Sequence, residues 1–222
     1  MSSFIQQISI MAIPLLLGVI LHEVAHGWVA GKFGDPTARL SGRLTLNPIA
    51  HIDPFGSILI PGILILSHAP FLFGYAKPVP VNFNNLRNPK KDMVWVALAG
   101  PATNLLLALG CSALLRILMI ASPFLESPFL SLVLQPLAKM IYLGVIINVA
   151  LAVFNLIPIP PLDGGRIMVG ILPLQAAINY SKVEPYGFFI LIGLLLTHIL
   201  DWFISPIMVF FIQLFLGASM SI

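Results

Sequence analysis

Charge is scarce in this sequence. Its 222 residues include eleven Lys or Arg and eight Asp or Glu, 9% of the chain, against about 25% in soluble domains. So few charged side chains cannot cover the surface of a soluble domain of this size. Hydrophobic residues make up 59% and mean hydropathy is +1.01, which excludes intrinsic disorder. The net charge of +3 is small and confined to loops, so nucleic acid is excluded as a partner. There is one cysteine, Cys111, which excludes an internal disulfide and a multi-cysteine metal cluster. Internal repeats and low-complexity tracts are missing, and no hydrophilic stretch is long enough for a second domain. What remains is an all-α polytopic membrane protein, a single domain over residues 1–222.

A membrane-spanning helix needs about 20 mostly apolar residues. Apolar runs lie at about 4–31, 55–73, 93–121, 137–157 and 186–217. The last contains Asp201 and Pro206 and reads as one kinked helix or two short ones, so five to six membrane segments are expected. Residues 1–7 lack the positive charge of a cleavable signal, so the first run is expected to be retained. Basic residues favour the cytoplasmic side of short loops. If 55–73 enters the membrane and returns at Pro61-Gly62, then Lys32, Arg39, Arg43, Lys77, Arg87, Lys90, Lys91, Arg166 and Lys182 all fall on one side. A single crossing there would divide them. The sequence therefore predicts a re-entrant element, an outside N-terminus and a cytoplasmic end to the first helix.

The first apolar run contains His22-Glu23-Val24-Ala25-His26. Two histidines at i and i+4 share one helical face, one turn apart, and can reach a single Zn²⁺. Glu23 lies beside them, where it can take a proton from metal-bound water whose pKa zinc lowers toward about 7. An ionisable cluster inside an apolar helix is costly, and is a functional site by default. A zinc site of this type needs a third protein ligand and an open position. Asp163 is the outstanding candidate, in Asn155-Leu-Ile-Pro-Ile-Pro-Pro-Leu-Asp163-Gly-Gly-Arg166. Prolines stop the preceding helix there, and Gly164 and Gly165 permit close backbone approach. By spacing alone, Asp163 is as well read as the N-cap of a short helix over 164–172.

These motifs together resemble the site-2 protease family of intramembrane zinc metalloproteases. The likeness rests on HEVAH at 22–26, Ala99-Gly-Pro-x-x-Asn104 and the 155–165 stretch, in that order. It extends, over about 18–167, to Gly34-Asp35-x-Thr37-Ala38, Gly42-Arg-Leu-Thr-Leu-Asn-Pro48, His51-Ile-Asp53-Pro54 and Ala76-Lys-Pro-Val-Pro-Val-Asn82 of the short prokaryotic branch. The resemblance implies one Zn²⁺ per chain on His22, His26 and Asp163, and Glu23 as general base. It also implies an active-site role for Asn155, which could steady an oxyanion or the substrate carbonyl. The implied substrate is a transmembrane helix of another protein, cut within or near the bilayer on the cytoplasmic side of a cell membrane. PDZ-like and CBS-like modules of the wider family do not fit in these loops.

Residues 39–46 alternate and read as a strand, and residues 75–83 read as an extended segment with Pro78 and Pro80 on one edge. A small membrane-dipping β element between the first and third apolar runs is therefore expected. It would receive an unwound substrate by strand addition through Gly42, Leu44 and Leu46. The alternative for both segments is an amphipathic loop. For Asn104 and Asn148, helix–helix hydrogen bonding is the expected role. His51 and Asp53 read as an interfacial loop with an Asp-Pro turn, or as a second polar site. His198 and Asp201 are spaced to pair with each other. A transporter or proton relay would use similar intramembrane polar residues, and an inactive zinc-binding scaffold would keep the ligands.

Overall fold

A computed structural model describes residues 2–67, 74–121 and 128–217. Among the described residues, nine α-helices follow in order: α1 Ser2–Lys32, α2 Thr37–Leu40, α3 Ile60–Leu66, α4 Pro89–Ala121, α5 Pro128–Asn155, α6 Asp163–Ile171, α7 Leu174–Ser181, α8 Glu184–Leu196 and α9 Ile199–Leu216. Among the described residues, four stretches are long and apolar enough to cross a bilayer: Ser9–Lys32, Pro89–Ala121, Leu132–Asn155 and Ile199–Leu216. The last apolar run is two helices, broken where His198 takes φ of 56°. Of these only α9 reaches spanning length; α8 has 13 residues.

The centre of the bundle lies where α4 and α5 pack together, with α1 and α9 against them. Ala108, Leu115, Ile141, Val145, Val149, Val153 and Leu216 form its buried core. Small residues let the helices approach. A Cβ on Gly144 would lie 2.9 Å from Cys111 Sγ, and one on Gly18 2.8 Å from Asn148 Oδ1. Tight contacts of this kind replace the hydrophobic drive that lipid removes. Arg116, far along α4 from the charged residues of its first turn, donates to the Phe215 carbonyl at 3.0 Å, and Ser112 donates to the same oxygen at 2.5 Å. Both satisfy an open carbonyl at the end of α9.

The expected β element is not there. Among the described residues there is no strand. Asp35 captures the Thr37 backbone N–H at 3.1 Å and its hydroxyl at 2.5 Å, and the chain turns into α2, which takes in Arg39 and Leu40. Gly42 follows at φ of 64°, breaking the alternation. Residues 43–50 and 77–78 do lie together, but side chains rather than a backbone ladder join them. The Arg43 guanidinium donates to the carbonyls of Ala50 at 2.5 Å, Lys77 at 2.9 Å and Pro78 at 3.3 Å. Pro78 and Pro80 offer no N–H, and the Val79 N–H between them is taken by a side chain of α1.

The 55–73 run begins as a π-helical turn over Pro54–Leu59, capped by Asp53, and continues directly as α3. Pro61-Gly62 is therefore helical, not a turn. Proline is tolerated near a helix start, where its missing N–H leaves no bond unmade. The chain nonetheless comes back. Tyr75 N–H donates to the Gly56 carbonyl at 3.0 Å and Lys77 N–H to the His51 carbonyl at 2.9 Å. Residue 75 thus returns to the level of residue 56.

Asp35 holds this returning segment to the end of α1. Buried, it also accepts from the Asn82 N–H at 2.8 Å and Asn85 Nδ2 at 2.9 Å. Burial alone would raise its pKa. The bonds from Thr37, Asn85 and Asn82 outweigh burial and hold the carboxyl below its ordinary range. A depressed pKa adds stability above about pH 4 that is lost as pH falls toward the folded-state value. Asp35→Asn is accordingly expected to cost about 1–3 kcal/mol at neutral pH. The gap in melting temperature from wild type in detergent should shrink as the pH drops below about 4.

Candidate metal centre

His22 and His26 face α4 from the C-terminal third of α1, both buried. His22 Nδ1 lies 2.6 Å from Asn104 Oδ1. The Asn104 amide nitrogen is already committed, to the Gly18 carbonyl at 3.0 Å and to Asn148 Oδ1 at 2.8 Å. Its oxygen therefore accepts, and His22 Nδ1 carries the proton. His26 Nδ1 lies 2.6 Å from the Val96 carbonyl, which can only accept. Both rings are thus fixed as Nδ1–H tautomers with a lone pair at Nε2.

Those two Nε2 atoms are 3.0 Å apart. Asp163 Oδ2 stands 3.1 Å from the first and 3.3 Å from the second. Burial would raise the Asp163 pKa, but the two rings beside it prevail and hold the carboxyl well below the usual range. Three buried lone-pair donors converge, and Asp163 Oδ2 accepts no ordinary hydrogen bond. Such a set is repulsive unless a cation lies among its members. Two imidazoles and one carboxylate are a donor set that suits zinc, so these residues could hold one ion.

Two backbone features allow the convergence. Asp163 opens α6, whose cap is Leu162 without a side-chain bond. Its carboxylate therefore does not serve as a helix cap but turns toward α1. Gly164 sits beneath the carbonyls of Leu156 and Ile157, and Gly165 would place a Cβ 2.5 Å from the Pro160 nitrogen. Any side chain there would push α6 away. Across the site, a Cβ on Gly100 would lie 2.6 Å from His22 Nε2 and closer still to His26 Nε2. The absent side chain leaves room for the rings.

Glu23 follows His22 in the chain and is not one of the converging donors. Its Oε2 accepts the Val79 N–H at 2.8 Å. With His22 and Asn155, Glu23 lines a cavity of about 560 Å³ between α1, the end of α5 and residues 48–61 and 74–76. Asn155 Nδ2 donates back to the Leu151 carbonyl at 2.9 Å. Gly42 and Leu46 are exposed, and Leu44 packs beside Gly27 and Val79; none of the three lines this cavity. His198 and Asp201 pair at 2.7 Å on the outer surface.

Three contributors were not assigned from sequence: Asn104, Gly100 and the Val79 N–H. Asn104 was traceable, because it follows Gly100 by four residues and so shares its helix face. Partners that orient a metal-binding histidine typically contribute 10–100-fold in affinity. Asn104→Leu should weaken zinc binding by about that factor, measured by competition with a chromogenic chelator.

Comparison with known proteins agrees with this constellation. The model of Peptidase family M50 matches residues 117–198. The chain is 38% identical over 198 residues to "Putative zinc metalloprotease YwhC" of Bacillus subtilis, covering 89% of this chain and 85% of that protein. It is 31% identical over 197 residues to "Putative zinc metalloprotease Rip2" of Mycolicibacterium smegmatis, covering 88% and 70%. It is 26% identical over 164 residues to "Zinc metalloprotease MJ0392" of Methanocaldococcus jannaschii, covering 74% and 34%. No solved structure matches the chain. This chain belongs to peptidase family M50, the site-2 proteases, and is by that membership a membrane zinc metalloendopeptidase.

Proposed function

We propose that the chain, acting as one domain, hydrolyses peptide bonds in or near transmembrane helices of other membrane proteins. His22, His26 and Asp163 hold one Zn²⁺ per chain, and Glu23 is the general base. The observation that carries this reading is the convergence of three buried lone-pair donors within 3.3 Å, with a carboxylate on the neighbouring residue lining an adjoining cavity. Zinc in such a site acidifies water and polarises a carbonyl.

The chain's own residues then have separable tasks. Asn104 and the Val96 carbonyl hold the two rings in the metal-binding tautomer. Val79 N–H steadies one oxygen of Glu23 and leaves the other to take a proton and pass it to the departing amine. Asn155, at the cavity wall, is placed to donate to the carbonyl oxygen as charge builds on it. The cavity, rather than residues 42–46, receives the substrate. Its walls include Leu15, Leu16 and Phe154, which match an apolar segment.

The site faces the cytoplasmic side of a cell membrane. The loops carrying nine of the eleven basic residues share one end of the bundle: Asp35 binds Asn82 and Asn85, and the Arg166 guanidinium stacks 5.0 Å over the Phe83 ring. Basic loops gather on the cytoplasmic side. The test is cleavage of a single-span substrate in proteoliposomes. Cleavage should stop on chelation and return with zinc. Turnover that persists without zinc would overturn the reading.

A further inference from the structure

His51 is 3% exposed and lines the same cavity as Glu23, His22 and Asn155. Its Nε2 lies 2.8 Å from the Thr45 carbonyl, which can only accept, so the neutral ring carries its proton there. Nδ1 is then a bare acceptor. It is buried and has no hydrogen-bond partner among the described residues. The residue is firmly held, since its own carbonyl accepts the Lys77 N–H at 2.9 Å and Pro48–His51 form one helical turn.

A buried acceptor without a donor is costly, and the cost is recovered when a ligand brings one. The Ser57 hydroxyl on the same wall does not supply that donor: Ser57 Oγ donates to the Tyr75 carbonyl at 2.9 Å and accepts the Asp53 N–H at 3.0 Å. A helix that unwinds for cleavage has the opposite problem. Its backbone N–H groups lose their partners in surroundings poor in water. The two deficits match, and the match does not depend on substrate sequence.

We propose that His51 Nδ1 accepts a hydrogen bond from a backbone N–H of the unwound substrate, making His51 a substrate-positioning residue. The proposal rests on the metalloprotease reading above, and binding tests it separately from catalysis. A fluorescent single-span peptide is titrated into reconstituted Glu23→Gln protein. His51→Gln keeps a side-chain N–H for the Thr45 carbonyl but has no acceptor at the Nδ1 position. His51→Asn keeps an acceptor near Nδ1 but gives up the Thr45 bond. Binding should weaken about 10-fold in His51→Gln, the scale of one buried hydrogen bond, and change less than about 3-fold in His51→Asn. Replacing one backbone amide of the peptide by an ester should weaken binding to the His51 protein and not to His51→Gln. The proposal is overturned if His51→Gln binds like its parent, as it would if water satisfied Nδ1. The reverse order, with His51→Asn the weaker, also overturns it and assigns His51 to packing the loop through Thr45. So does a peptide that fails to bind the parent protein. Failure of the metalloprotease reading looks different: zinc-loaded wild type would leave the same peptide uncut.

Discussion

Gly100→Ala abolishes tight zinc binding and, with it, cleavage. The added carbon would lie 2.5 Å from His22 Cε1 and 2.6 Å from His22 Nε2, and closer to His26 Nε2. The two Nε2 atoms are those whose lone pairs must converge. The rings cannot swing aside freely, because Asn104 and the Val96 carbonyl hold each by Nδ1. Either the rings rotate off their partners or α4 backs away from α1, and both outcomes separate the donors. Loss of an orienting partner alone costs 10–100-fold in affinity, so a displaced donor pair should exceed about 100-fold. Gly110, in the same helix, supplies the control. A Cβ there meets nothing within 4 Å, so Gly110→Ala should keep full zinc and gain up to about 1 kcal/mol of stability from helix propensity. Metal content and melting temperature of the two variants, side by side, check the prediction.

Glu23→Gln should separate binding from chemistry. Glu23 is not among the converging donors, and glutamine keeps an oxygen that can accept the Val79 N–H. Zinc content should stay within error of wild type. The amide cannot take up a proton, so cleavage should fall by about 10²–10⁴-fold, the range that a general base contributes. Single-turnover cleavage of a model transmembrane substrate measures it. A Glu23→Gln protein that cuts at a tenth of the wild-type rate or better would place the base elsewhere.

Some of this was legible in the sequence because the signal is local. The i, i+4 spacing of His22 and His26 places both on one face of any helix, whatever surrounds it. Apolar runs marked α1, α4, α5 and the α8–α9 region for the same reason. Asp163 was less certain from spacing, since an aspartate before two glycines caps helices as readily as it binds metal. Its carboxylate is set toward α1 by the close seat of Gly164 under Leu156 and Ile157, a tertiary fact. The strand reading of 39–46 failed for a definite cause. Asp35 and Arg43 tie the backbone to side chains, and alternation of apolar residues carries no record of such bonds. Asn104 illustrates a further limit. A polar residue in an apolar helix signals a partner, but the partner is 82 residues away, and only the packing of α4 on α1 reveals that it is His22.

The central claim is that His22, His26 and Asp163 together hold one zinc ion. Zinc per chain in purified wild type and Asp163→Asn protein, after dialysis against a weak chelator, tests it most directly. The account predicts about one zinc in wild type and less than a tenth of that in Asp163→Asn, with both proteins folded. Equal zinc in the two would contradict it, because the third donor would then lie elsewhere.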